Sequence, residues 1–219
     1  MGETDMPFNE LEPTAGDAGS EAVDEAAWRA ENLPHEQLVF RWRYADARLP
    51  LYERRIRSLA AFHVGPAVQA WVRTRLEWMQ DNRLREQPEG VLELTISPAG
   101  DVGMGMRPLE QAPQLSRDAL VYRDGQLAGC ELAGSVWAAA ADGSLDVWPG
   151  QLRHAASAFA RDILQTLGHD VRTGELARER VQQADELFVV NDEFGAVPLG
   201  TPGPVGQRLA VCFEKLWSA

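Results

Sequence analysis

The chain has 219 residues, of which 45% are hydrophobic, enough for one large or two small packed domains. Its formal net charge is −12. Such an acidic chain, with no basic stripe, is a poor binder of nucleic acid, because binding depends on neutralising phosphates. No apolar run reaches the roughly 18 to 20 residues of a membrane span. The sequence therefore predicts a cytoplasmic α/β protein without a nucleic-acid or membrane partner.

The acidic charge is concentrated at the N-terminus. Residues 1–36 contain ten acidic side chains and one basic one, whereas residues 37–219 are almost neutral. This composition is too polar for independent folding, so we predict a largely disordered acidic tail over residues 1–36. Within it, residues 21–33 could form a short helix. The tail is interpreted as a solvated leader, with an arm that docks on a partner as the alternative.

Cysteine and histidine give no sign of a metal site or a disulfide. Cys130 and Cys212 lack the spacing of metal ligands. The four histidines are widely separated and form no HxxxH or HxxE pattern. No metal is expected.

Residues 37–107 are predicted to form a small N-terminal α/β domain. Residues 38–44 alternate as a strand, residues 51–62 and 67–82 show helical spacing on either side of Gly65-Pro66, and residues 91–96 alternate again. Glycine and proline make residues 100–116 irregular, and residues 108–116 are predicted to be the linker.

Residues 117–219 are predicted to form the second α/β domain. Residues 119–123 and 130–140 look extended, and residues 151–167 look helical. Residues 187–190 and 195–199 then read as two short strands around a turn at 191–193. A closing helix follows Pro204, with Leu209 and Phe213 on its apolar face.

This closing stretch carries a family resemblance. Its order is an acidic pair, a buried strand, a turn with Asn191, Val197-Pro198, Gly203-Pro204 and a helix. It resembles the end of class IV aminotransferases, most closely the aminodeoxychorismate lyase branch. Residues 48–59, RLPLYERRIRSL, resemble that family's "RLF, LEEH, LxRL" helix. The resemblance implies the α/β (α+β) two-domain fold of D-amino acid aminotransferase-like proteins, PLP (pyridoxal phosphate) fold type IV, with a shortened N-terminal domain.

The resemblance also implies PLP, whose chemistry needs a lysine to form the internal Schiff base. The only lysine in the chain is Lys215, in the closing helix, whereas the family places its lysine ahead of the strand matched by residues 119–123. Residues 108–116 contain none. We therefore expect a degenerate member with no catalytic residue, no bound cofactor and a surface position for Lys215.

Three residues are predicted to remain from the cofactor pocket. Arg57 lies next to Ser58, which stands where the family has its phosphate-binding arginine. Glu131 is one place from the position of the carboxylate that faces the pyridine nitrogen. Asn191 lies in the turn where the family binds phosphate, although turn chemistry alone explains an asparagine there. Asp192, next in the chain, replaces a hydroxyl residue and would repel a phosphate.

Two functions remain open on the sequence. In the first, the chain has lost PLP binding and catalysis and acts as a binding or interaction protein, for a small anionic ligand or a protein. The alternative is a PLP-dependent lyase or aminotransferase acting on an amino compound, with an unrecognised or partner-supplied lysine. The resemblance further implies a homodimer, and Trp71, Arg75 and Trp78 share a helical face suited to such a contact.

Overall fold

The computed structural model describes residues 24–150 and 154–218. Predictions for residues 1–23 lie outside this range. The helices are α1 (Glu25–Asn32), α2 (Tyr52–Leu59), α3 (Pro66–Asn82), α4 (Ala155–Thr166), α5 (Arg178–Gln183) and α6 (Pro204–Trp217). The strands are β1 (Leu38–Tyr44), β2 (Gly90–Ile96), β3 (Val102–Arg107), β4 (Leu120–Arg123), β5 (Gln126–Cys130), β6 (Ser135–Ala139), β7 (Ser144–Trp148), β8 (Asp170–Thr173), β9 (Glu186–Asn191) and β10 (Gly195–Pro198).

The N-terminal half is a three-stranded antiparallel sheet of order β1-β2-β3. Alternate residues of β1 and β2 point to one face, as the sequence pattern predicts. Helices α2 and α3 pack on that face through their apolar stripes. Trp42 and Leu94 are buried completely at the centre of this core.

The C-terminal half is built on a five-stranded sheet of order β10-β9-β6-β7-β8, in which only the β7–β8 pair is parallel. Helices α4 and α6 cover one face. The β4–β5 hairpin and α5 cover the other. Strands β6 and β9 are therefore buried on both faces, which explains why residues 187–190 form an unbroken apolar run instead of alternating.

The short helix predicted within residues 21–33 is present as α1, so the largely disordered tail predicted for residues 1–36 extends too far into the chain. Helix α1 begins after Asp24, whose carboxylate accepts hydrogen bonds from the amides of Ala26 and Ala27. Trp28 packs against the N-terminal core, and Leu33 is buried. Residues 24–36 belong to the packed N-terminal half because these two apolar side chains compensate for the polar composition around them.

Several elements were not predicted. Residues 102–107 looked like part of an irregular connection, but they form edge strand β3, in which Met104 and Met106 pack on the core while Gly103 and Gly105 face outward. Strands β5, β7 and β8 and helix α5 are each six residues or shorter. Elements of that length offer too few repeats for periodicity to identify them.

The predicted homodimer stays a prediction. On α3 the Trp78 side chain is 43% exposed, and the Arg75 guanidinium lies over its ring at 4.4 Å from the centroid. Trp71, on the same helix, is half-buried against the N-terminal core. None of the helices within the described residues is long and apolar enough to cross a membrane.

Candidate functional site

Three elements converge where β9 ends: the turn after β9, the helix α2 and the N-terminus of α4. The turn contains Asp192 and Glu193, which are only 3% and 6% exposed. Carboxylates are rarely buried this deeply unless they are paired and hydrogen-bonded. The chemistry of this turn therefore depends on what surrounds the two carboxylates.

The Asp192 carboxylate lies against the first turn of α4. Its Oδ1 accepts a hydrogen bond from the Ala156 amide at 2.8 Å, and its Oδ2 accepts one from the Ala155 amide at 3.1 Å. The Nδ1 atom of His154 lies 3.3 Å from the same Oδ2. The first amides of a helix have no partner within the helix and carry its positive end, so Asp192 occupies a natural anion position.

Arg55 faces this carboxylate from the N-terminal half. Its side chain is 1% exposed, and its Nε lies 3.7 Å from Asp192 Oδ1. Its two terminal nitrogens donate to the backbone carbonyls of Arg43, at 3.0 Å, and Asp192, at 3.2 Å. The Arg43 amide donates to the same Asp192 carbonyl at 3.0 Å. Arg55 and Asp192 thus join the two halves through a buried, charged contact.

A second ion pair supports the same junction. Glu193 Oε1 accepts a hydrogen bond from Arg107, at the end of β3, at 2.5 Å. The Glu193 side chain is 8% exposed and that of Arg107 is 29% exposed. Successive carboxylates of one turn therefore contact arginines from two different elements of the N-terminal half.

The surroundings of Asp192 and Arg55 determine their pKa values. Burial by itself would raise the pKa of Asp192, but the hydrogen bond with His154, the charge of Arg55 and the Ala156 amide outweigh it and hold that pKa below its ordinary value. Burial lowers the pKa of Arg55 to about 10, although Asp192 acts in the opposite direction. At neutral pH both groups are charged.

We expect the contribution of Asp192 to stability to disappear in acid. Its folded-state pKa is depressed, so its contribution is present above the unfolded pKa of about 3.9 and is lost as the pH falls through the folded value. Chemical unfolding of the wild type and Asp192→Ala, at neutral pH and at about pH 3, measures the contribution of this carboxylate to the unfolding free energy. The gap between their unfolding free energies should narrow in acid. An unchanged difference would show that the charge of the Asp192 carboxylate contributes nothing to the stability of the folded chain.

The predicted pocket residue Asn191 lies at this site, but its amide is used by the turn. Its Oδ1 accepts hydrogen bonds from the amides of Glu193, at 3.2 Å, and Phe194, at 2.8 Å. Its Nδ2 donates to the Ala133 carbonyl at 3.0 Å. The asparagine is thus explained by turn formation, which was the alternative interpretation of this residue.

The other two predicted residues are exposed. Arg57 is on the exposed face of α2, and its Nε donates to the Glu53 carbonyl. Glu131 is exposed in the connection between β5 and β6. Among the described residues, no hydrogen bond joins the Arg57 or Glu131 side chain to Asn191, although the connection that contains Glu131 contacts Asn191 through the Ala133 carbonyl. Ser58, at the position of the expected phosphate-binding arginine, donates its hydroxyl hydrogen to the Arg55 carbonyl at 2.7 Å.

Lys215 is exposed on α6, as predicted. Residues 108–114 have no regular structure, and Leu115 forms an isolated bridge with Leu199. The Asp192 cluster therefore contains no amine that could form a Schiff base. Within the described residues, no group of three or more His, Cys, Asp or Glu side chains could hold a metal ion.

Sequence reasoning missed the partners of Asp192. Arg55 is four residues from both Leu51 and Leu59, and this spacing places it on the apolar stripe of α2. His154 was considered only as a metal ligand. Asp192 was interpreted as an obstacle to phosphate, with no partner of its own. The spacing of Arg55 from these two leucines is the signal that the sequence offers.

Two shallow pockets lie elsewhere on the described surface. One, of about 300 Å³, is lined by Arg54 and by apolar residues of α4 that include Phe159 and Ile163. The other, of about 160 Å³, is lined by Cys130, Trp148 and small residues. Burial raises the pKa of the Cys130 thiol, which disfavours the reactive thiolate. Neither pocket is lined by Asp192 or its partners.

No family model and no curated protein matches this sequence. Solved structures do match. The 4-amino-4-deoxychorismate lyase from Pseudomonas aeruginosa is 14% identical with a TM-score of 0.61, over 91% of this chain and 96% of that one. A putative 4-amino-4-deoxychorismate lyase from Legionella pneumophila is 12% identical with a TM-score of 0.65, also over 91% and 96%. An aminotransferase from Brucella abortus bound to PLP is 14% identical with a TM-score of 0.64, over 93% and 95%.

Identities this low show the fold alone. The chain has the fold of class IV aminotransferases and aminodeoxychorismate lyases, fold type IV, and the predicted fold is confirmed. The described residues of the Asp192 cluster do not fit PLP. They offer no lysine, and a carboxylate already fills the anion position at α4.

Proposed function

We propose that this chain uses the fold-type-IV scaffold as a non-catalytic binding or interaction protein and forms no Schiff base with PLP. The observation that carries the proposal is the position of the Asp192 carboxylate. It accepts hydrogen bonds from the Ala155 and Ala156 amides of α4 and faces the buried Arg55. A phosphate dianion at that position would have to displace a carboxylate and would meet its repulsion.

The position of the lysine supports the same proposal independently. Lys215 is the only lysine of the chain, and it is exposed on the closing helix. A Schiff base at Lys215 would stand outside the Asp192 cluster, where nothing in the described cluster could orient it. Without an oriented imine the cofactor cannot act as an electron sink in a defined reaction. The binding partner is proposed to be a small anionic ligand or a protein.

One observation favours an alternative. The chain matches a PLP-bound aminotransferase from Brucella abortus over almost its whole length. A PLP-dependent lyase or aminotransferase acting on an amino compound, with an unrecognised or partner-supplied lysine, is the second candidate. It requires that Asp192 leave its position.

An absorbance spectrum separates the two candidates. After incubation with PLP, the purified full-length chain is expected to show only the spectrum of the free aldehyde, without the shifted band of a protein-bound imine. Borohydride reduction followed by peptide mapping should find no specific pyridoxyl-lysine. A stoichiometric reduced adduct on a peptide of this chain, or on a partner only when this chain is present, would overturn the proposal.

A further inference from the structure

We propose that His35 and His63 together bind one divalent transition-metal ion of the Zn²⁺ class. Their rings lie next to each other, with centroids 5.0 Å apart and planes tilted by 47°. His35 lies in the connection between α1 and β1, and His63 lies in the connection between α2 and α3. Sequence spacing did not indicate this pair, because the fold brings the two connections together. The site is separate from the Asp192 cluster and uses neither lysine nor PLP, so it goes beyond the proposed function.

The separation of the two rings matches ligation of a single metal ion. A Zn–N bond of about 2.0–2.1 Å places each imidazole centroid about 3.2 Å from the metal, so tetrahedral ligation separates two centroids by about 5.2 Å. The observed separation of 5.0 Å is close to this value. Imidazole suits Zn²⁺, Cu²⁺ and Ni²⁺, whereas Mg²⁺ and Ca²⁺ prefer oxygen ligands. The two histidines should therefore select the first group of ions over the second.

The backbone holds the two connections together at Asn32, the last residue of α1. The Asn32 carbonyl accepts a hydrogen bond from the Gly65 amide at 2.9 Å, and its Oδ1 accepts one from the Ala67 amide at 3.3 Å. A Cβ atom at position 65 would lie 2.5 Å from Asn32 Oδ1, so the close approach requires glycine. The segments that carry His35 and His63 are thus fixed beside each other without a metal, which lowers the entropic cost of binding one.

The neighbours of each histidine anchor it to the core, while both imidazoles are exposed. Pro34 is buried, and Val64 is 1% exposed. Phe62 packs against the N-terminal core. Because His35 and His63 are themselves exposed, their rings can turn a nitrogen towards a metal ion without a change in the core. Water has access to the remaining coordination positions.

Two protein ligands define the kind of metal site. Structural zinc sites have four protein ligands and catalytic zinc sites have three. No third His, Cys, Asp or Glu side chain joins the two histidines within the part of the chain that the structure describes. Binding should therefore be reversible, with water as the other ligands. A bound ion would tie the segment after α1 to the segment before α3 and would oppose detachment of α1 from the N-terminal half.

Calorimetric titration with Zn²⁺ tests the site on the full-length chain, after treatment with a chelator and removal of that chelator. The wild type should bind one Zn²⁺ per chain with a saturable heat, and Mg²⁺ should give none. His35→Asn and His63→Asn should each abolish the saturable heat, because both imidazoles are needed. Asparagine is tolerated at position 63, where φ is 60°. His169→Asn is the matched control and should bind like the wild type, because His169 lies elsewhere, between α4 and β8.

Hydrogen exchange gives a local measurement of the same site. The amides of Gly65 and Ala67 donate to Asn32, so their exchange reports the opening of this contact. At Zn²⁺ about 100 times its Kd, exchange of these two amides should slow by about 100-fold in the wild type, because opening requires release of the ion. It should not slow in His35→Asn or His63→Asn.

Three results would overturn the proposal. The first is a wild type that takes up no Zn²⁺ saturably, and the second is a saturable site that survives in either His35→Asn or His63→Asn. The third is unchanged exchange of the Gly65 and Ala67 amides when Zn²⁺ is saturating. If His63→Asn does not fold, His63→Gly replaces it, since glycine adopts a φ of 60° without strain.

Discussion

The Asp192→Ala variant is expected to lose about 3–5 kcal/mol of unfolding free energy at neutral pH, the range found when one partner of a buried ion pair is removed. The loss has two sources. Arg55 becomes a buried charge without a counter-charge, and the amides of Ala155 and Ala156 lose their acceptors. Denaturant unfolding followed by circular dichroism measures the difference.

Asp162→Ala is the matched control. Asp162 pairs with Arg54 at 2.6 Å, again between α2 and α4, but the two side chains are 56% and 36% exposed. An exposed ion pair contributes about 1 kcal/mol or less. Similar losses of unfolding free energy for Asp192→Ala and Asp162→Ala would mean that the buried pair stabilises the fold no more than the exposed pair does.

The second large effect is expected from Trp137→Ala, at about 3–5 kcal/mol, because a large side chain is removed from a packed core. Trp137 is completely buried on β6 and stacks on Phe188 of β9, with ring centroids 5.9 Å apart. Its indole nitrogen donates to Ser135 Oγ at 2.7 Å, and that hydroxyl lies 2.6 Å from Ser157 Oγ on α4. The substitution therefore removes both core packing and a link from the sheet to α4.

Trp78→Ala removes the same side chain from an exposed position on α3 and should cost about 1 kcal/mol or less. Trp78 is 43% exposed, and its ring contacts Arg75. The two variants are compared by urea unfolding. A loss for Trp78→Ala as large as that for Trp137→Ala would indicate that Trp78 is covered by another chain under the conditions of the measurement.

The sequence predicted the elements with several repeats of a clear period. Helix α3 and the closing unit of β9, β10 and α6 lie where the apolar spacing places them. Strand β3 was missed because glycine at alternate positions removes the side chains that would show the period. Strands β7 and β8 and helix α5 were missed because four to six residues do not establish a pattern.

The candidate site was less predictable than the fold. The turn role of Asn191 follows from local chemistry, since its amide bonds residues two and three positions ahead. The Arg55–Asp192 contact joins residues 137 positions apart. No local pattern reports such a contact. Only the spacing of Arg55 with Leu59 indicated that this arginine faces inward.

Calorimetric titration of the wild-type, full-length chain with PLP at neutral pH tests the proposed loss of cofactor binding most directly. We expect no saturable heat, because Asp192 already holds the anion position and the cluster has no amine to trap the aldehyde. Saturable uptake of one PLP per chain would contradict it.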